Sequence, residues 1–179
     1  MKFLIALSRV IDALNEGVGR AVLWLVLAAT LISAANAGMR YIFDMASNAW
    51  LELQWYLFAG IFLLGAGYTL KHNGHVRIDI LYGRLSERGR AWIDLIGSLV
   101  FLLPFSLLLV WFSWPNFASA LQHGEMSPDA GGLLRWPVLL TIPVGFALLA
   151  LQGVSEIIKR VAFLRGQLSL TLERPMEKV

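Results

Sequence analysis

The chain has no cysteine, three histidines and few charged residues, and each scarcity removes a class of function. Without cysteine there is no disulfide framework, thiolate nucleophile or thiolate metal site. Only 15% of the 179 residues are Asp, Glu, Lys or Arg, while 58% are hydrophobic, against an apolar share of about 45–50% in soluble domains. That balance rules out a water-soluble globule. No histidine falls in an apolar run, which argues against a helical bundle clamping haem, and His72, His75 and Asp79 are too few for a convincing metal site.

What is present is four apolar blocks: 21–43, 50–70, 91–114 and 136–158. At about 1.5 Å per helical residue each can cross a hydrocarbon core about 30 Å thick. The remaining sequence is too short and scattered for a soluble catalytic domain. The expected fold is therefore an all-α integral membrane protein: four transmembrane helices, an N-terminal amphipathic helix, and a short interfacial helix between spans two and three. The organisation follows as a leader 1–20, a transmembrane domain 21–158 and a polar tail 159–179.

In the leader, Phe3, Leu4, Leu7, Val10, Ile11 and Leu14 recur at helical spacing, and Lys2, Arg9, Asp12 and Glu16 fall mainly on the other side. This pattern predicts an amphipathic helix lying on the membrane surface. A signal peptide fits less well, because the partly acidic lead is wrong for an n-region. Residues 79–90 mix Ile80, Leu81 and Leu85 with Arg84, Glu87 and Arg88, which predicts a second interfacial helix, entered through the Asn73-Gly74 turn. Residues 117–132, with His123, Gly124, Pro128 and a Gly pair, read as an irregular external loop.

Positive charge orients the bundle. Of the fifteen Lys and Arg, only Arg40 and Arg135 lie in the connections after spans one and three. The positive-inside rule therefore places both termini and the middle loop in the cytoplasm. Basic residues beside spans serve lipid headgroups, so the net charge of +3 calls for no nucleic acid.

Charges in a membrane are candidate functional sites until a local partner is found. Asp94 lies four residues after Arg90, Glu156 three and four before Lys159 and Arg160, and Asp44 four after Arg40; all read as local helix pairs. Glu52 has no basic residue within helical reach and is expected to pair with Arg40 across the hairpin or with a partner subunit, the alternative being a headgroup-layer carboxylate. Ala29, Ser33 and Ala37, with Asn36, Gly60 and Gly65, form small or hydrogen-bonding positions suited to helix packing. Trp24, Trp50, Trp55, Trp92, Trp114 and Trp136 fall near predicted span ends, as interfacial anchors do. Pro104 and Pro143 are expected to kink spans three and four. No internal repeat supports a stand-alone carrier.

One stretch is more specific: Trp50-Leu51-Glu52 opening a span, Gly65-Ala66-Gly67 near its end, then Gly74-His75-Val76-Arg77-Ile78-Asp79. Together with Asn36, Arg40, Tyr41 and Phe43 it resembles the small, four-span membrane subunit of tripartite ATP-independent periplasmic (TRAP) transporters. The likeness runs from about residue 21 to 158. This chain has Glu52 then Leu53 where many members have two successive acidic residues. The runs 52–56 and 124–129 resemble the branch labelled for mannitol or chloroaromatic compounds.

The resemblance implies a non-catalytic subunit in the bacterial inner membrane that braces a large, elevator-type membrane subunit (M-type). A periplasmic binding protein would deliver an organic acid, and sodium would couple at the large subunit. It also implies that His75, Arg77 and Asp79 form a cytoplasmic junction, with Arg77 reaching the partner or a lipid phosphate. Beyond a bound phospholipid no cofactor is expected. The competing reading is a free-standing four-span channel, carrier or membrane enzyme, which would need polar groups at mid-depth or a convergent set of acid, base and nucleophile.

Overall fold

A computed structural model describes residues 1–45, 47–74, 82 and 85–168. Within them the chain is helical, and four helices are long and apolar enough to cross a membrane. They are α1 (Lys2–Phe43), α2 (Asn48–Lys71), the composite α3 (Glu87–Gly97), π-turn (Ser98–Leu102) and α4 (Leu103–Gln122), and α5 (Trp136–Leu164). No strand occurs among the described residues; Met126 and Leu134 form an isolated antiparallel bridge.

The leader is helical as expected, but it is not a separate surface helix. Residues 2–43 run as one helix of 42 residues, about 63 Å long, with no break at Ala21. Neither Gly17 nor Gly19 interrupts it, because one glycine costs a helix only about 1 kcal/mol. The leader's polar side faces inward: Ser8 and Asn15 are buried and Asp12 meets α5. Its apolar side, with Phe3, Val10 and Leu14, is exposed, although Ile11 is buried. An amphipathic pattern alone does not say which face a bundle covers. Here the polar face finds hydrogen-bonding partners, and the apolar face is left exposed.

The helix ends follow local chemistry. Asp44 leaves α1 in a left-handed conformation, φ 53°, its N–H bonded to the Met39 carbonyl. That turn removes Asp44 from helical register with Arg40, and the expected pair between them does not form. The Ser86 Oγ caps α3 by accepting the Gly89 N–H at 3.2 Å. Span three therefore begins within the stretch read as an interfacial helix, at Glu87; 75–81, 83 and 84 lie outside the described residues. Pro104, which lacks an N–H, is the second residue of α4, one past the residue that follows the π-turn. Pro143 is carried inside α5.

α5 is the hub: it packs on α1, α2 and α4 and supplies more of the buried residues than any other helix. Glycine permits the closest approaches. A Cβ at Gly145 would lie 2.6 Å from the Leu63 carbonyl oxygen, and one at Gly153 would overlap the Leu102 side chain. Gly60 faces Leu25 and Gly65 faces Val22, so these two serve the α1–α2 contact. Cross-helix register follows: Leu25 lies level with the middle of α2, and Asn15 beside Gly67, near its end. The leader thus belongs to the bundle.

Candidate functional site

Polar side chains gather in two layers. At the end that holds the N-terminus of α1 and the C-termini of α2 and α5, here the basic end, Asp12 is the centre. Its carboxylate accepts from the Gln152 amide (2.9 Å), the Ser155 hydroxyl (2.7 Å) and the Lys159 ammonium (2.8 Å). One turn on, the Asn15 amide donates to the Gln152 Oε1 at 3.0 Å. Asn15, Gln152 and Ser155 are fully buried. Two helices are thereby keyed together at one register, since sliding either by a turn would leave buried amides and a carboxylate without partners.

The layer extends sideways. Glu16 binds Lys71 at 2.7 Å and His72 at 2.9 Å, fastening α1 to the end of α2, and also meets Arg20 at 3.2 Å. On the other flank Arg160, only 4% exposed, reaches Asp94 of α3 at 3.2 Å and Glu156 at 3.6 Å. Tyr82 donates to Asp94 at 2.8 Å. Glu156 is indeed paired locally, with Lys159 at 2.8 Å and Arg160, while the Asp94–Arg160 contact joins two helices.

At the opposite end, Glu52 lies in the first turns of α2 and is buried. It does not pair with Arg40, which is exposed and forms no ion pair among the described residues. Instead its carboxylate accepts the Leu133 N–H at 2.7 Å and the Ser127 hydroxyl. The segment it holds is folded: the Ser127 N–H bonds the Leu133 carbonyl, the Arg135 N–H bonds the Glu125 carbonyl, each at 2.9 Å, and Arg135 also forms an ion pair with Glu125. The Asn48 amide donates to the Ala130 carbonyl at 3.1 Å. Of the loop read as irregular over 117–132, residues 117–122 continue α4, and the part from Glu125 on forms with Leu133, Leu134 and Arg135 a small hairpin seated on the start of α2.

Other expected positions divide. Ala29, Ser33 and Ala37 line an open groove with Gln54, Trp55 and Phe58. Asn36 sits in a recess with Met39 and Trp50 and has no hydrogen-bond partner among the described residues. Trp50, Trp55, Trp92 and Trp114 are exposed near helix ends or within two turns of one, and Trp136 begins α5. Trp24 is one residue from Leu25, level with the middle of α2, and so lies at mid-depth, away from the span end expected for it. His75, Arg77 and Asp79 lie outside the described residues. The sequence reading missed Asn15, Gln152, Ser155 and Ser127. A glutamine inside an otherwise apolar run was the available signal for the first three.

Chemically, these layers tie helices together. Among the described residues no three of His, Asp and Glu gather as a metal site would require.

The family model described as "Tripartite ATP-independent periplasmic transporters, DctQ component" matches residues 29–163. The chain is 30% identical over 106 residues to the C4-dicarboxylate TRAP transporter small permease protein DctQ of Pseudomonas aeruginosa, an alignment covering 59% of this chain and 50% of the relative. It is 34% identical over 87 residues to the protein of the same name from Vibrio cholerae, covering 49% and 37% respectively. The matched part thus amounts to half or less of each relative's length. The family match takes in spans two, three and four and the Glu52 hairpin; with it the chain belongs to the DctQ component family of TRAP transporters, a membrane transporter component and not an enzyme.

Proposed function

We propose that the chain is the small permease subunit of a TRAP transporter and acts as a fixed brace in the bacterial inner membrane. The basic end faces the cytoplasm with both termini, and the Glu52 hairpin faces the periplasm. The partner is a large M-type membrane subunit that carries sodium and substrate and moves as an elevator; a periplasmic binding protein delivers the substrate. The substrate is an organic acid. The relatives' names make a C4-dicarboxylate the first compound to test, and the resemblance adds mannitol and chloroaromatic acids to the panel.

The observation carrying this reading is that a layer of polar contacts at the basic end locks α1, α2, α3 and α5 in register, while Glu52 at the other end fastens the hairpin to α2. A brace needs fixed helices, whereas an elevator's mobile part must slide. Trp50, Trp55, Trp92 and Trp114 resist tilt as anchors, and His75, Arg77 and Asp79 serve as a junction at the cytoplasmic face.

Vesicles containing both membrane subunits, with purified binding protein and a sodium gradient, test the reading. Uptake should require this chain and vanish when it is left out. Sodium-driven transport by this chain alone, or undiminished uptake by the large subunit without it, would overturn the proposal.

A further inference from the structure

The polar residues at the two ends of α2 mark the depth of the bilayer on the bundle. Glu52 and Lys71 stand nineteen residues apart on that helix, about 28 Å at the helical rise, close to a hydrocarbon thickness of about 30 Å. Glu16 of α1 is bonded to Lys71 and therefore sits at the basic-end boundary. Leu7 and Phe3 precede Glu16 by nine and thirteen residues, which carries them about 14 Å and about 20 Å past that boundary along the helix. The headgroup layer on each side is only about 5–8 Å thick. α1 does not fold back onto the membrane, because it is unbroken from Lys2 to Phe43 and is fastened to α5 at Ser8 and Asp12.

Apolar side chains are nevertheless exposed there. Phe3 (78% exposed), Leu7, Val10 (67%) and Leu14 recur at spacings of four, three and four, the seam along which one helix packs on another. Four side chains of this size offer on the order of 400 Å² of apolar surface, within the range that marks an interaction site. Exposed apolar residues of α4, such as Phe105 and Trp111, lie between the two boundaries, where hydrocarbon covers them. Lipid has no such reach to Phe3 and Leu7.

We infer that residues 2–14 of α1 dock an amphipathic helix with acidic flanks, supplied by the cytoplasmic side of the large membrane subunit. This rests on the reading of the chain as the small permease subunit, and it names where the partner is gripped. Charge selects the occupant. Lys2 and Arg9, each preceding a residue of the stripe, are exposed and form no ion pair among the described residues. The leader's acidic residues are already engaged, Asp12 with Lys159 and Glu16 with Lys71. A second copy of this chain runs parallel to the first in the membrane, so pairing along the stripe would set Lys2 and Arg9 against their own counterparts. A helix with acidic flanks instead meets them with opposite charge. The stripe also precedes residue 29, where the family match begins, so the contact serves the pairing of this chain with its own partner.

The test expresses the full chain together with its large subunit, places a photo-crosslinker at Val10, and identifies the adduct by mass. The crosslinker should capture the large subunit. The double variant Leu7→Asp, Val10→Asp should lower the amount of large subunit that co-purifies by about tenfold, as loss of central apolar anchors does. Arg9→Glu should lower it by about threefold, in keeping with an exposed ion pair. Capture of lipid alone, or of a second copy of this chain, overturns the inference, and so does undiminished co-purification of the folded double variant. Each of these leaves the small-subunit reading standing. Wild type that brings down no large subunit overturns that reading and the inference together. If the double variant does not yield a folded chain, the crosslink at Val10 decides alone.

Discussion

The Asn15 carboxamide of α1 rests on the bare Cα of Gly67 in α2. A Cβ at Gly67 would overlap the Asn15 side-chain oxygen and come within 3.3 Å of the Leu148 carbonyl of α5. Three helices meet at this point, and the amide that keys α1 to α5 fits only because the third contributes no side chain. Gly67→Ala should therefore lower stability by about 1–3 kcal/mol, the usual cost of overpacking. Gly38→Ala, where a Cβ would meet nothing within 4 Å, should be neutral or stabilise by up to about 1 kcal/mol. Thermal unfolding of the two variants in one detergent compares them; equal melting points would show that the three-helix contact has slack.

Coupling across the buried amides is measurable by itself. Asn15→Ala and Gln152→Ala each leave a buried polar group without its partner, so each should destabilise by about 1–3 kcal/mol. Their double mutant should fall short of the sum by about 0.5–1.7 kcal/mol, the range for hydrogen bonds between membrane helices. Strict additivity in a denaturant titration would mean that the amides do not interact.

How much of this was readable in the sequence depends on distance along the chain. Spans two, three and four were legible because apolar runs of that length have few other uses, and the Glu156–Lys159 pair because it obeys helical spacing. The partners of Glu52 were not: Ser127 and Leu133 lie 75 and 81 residues away and carry no charge to suggest them. Nor was the fate of the leader. Its 3.6-residue pattern is the same whether the polar face meets water or Gln152, and the partners that decide the matter, Ser155 and Lys159, lie more than 140 residues on. The leader also precedes the residues matched by the family model, so the resemblance could not supply what the pattern left open.

Glu52 should control the order of the hairpin it holds and leave the distant polar layer alone. Glu52→Ala removes the acceptor for the Leu133 N–H and the Ser127 hydroxyl, and about 1–3 kcal/mol of local stability should go with it. Amide hydrogen exchange should accelerate at Leu133 while the amides around Gln152 stay protected. Arg40→Ala should leave both regions unchanged, because Arg40 is exposed and unpaired among the described residues. Faster exchange at Leu133 in the Arg40 variant would restore the cross-hairpin pairing that the geometry argues against.

Arg160 carries the largest expected penalty. It is almost wholly buried between carboxylates on two helices, so Arg160→Met removes the cation that bridges Asp94 and Glu156 and leaves Glu156 with Lys159. Breaking a buried ion pair by deleting one partner typically costs about 3–5 kcal/mol, because the other charge remains desolvated. The variant should therefore give little folded protein. Adding Asp94→Asn should recover part of the loss, since the stranded charge is then gone and the Tyr82 hydroxyl keeps an oxygen to bond. Yield of monodisperse protein and melting temperature across the two singles and the double decide it. If the double variant is worse than Arg160→Met, the cost arises from lost packing along the arginine stem, and the α3–α5 contact is held by shape and not by charge.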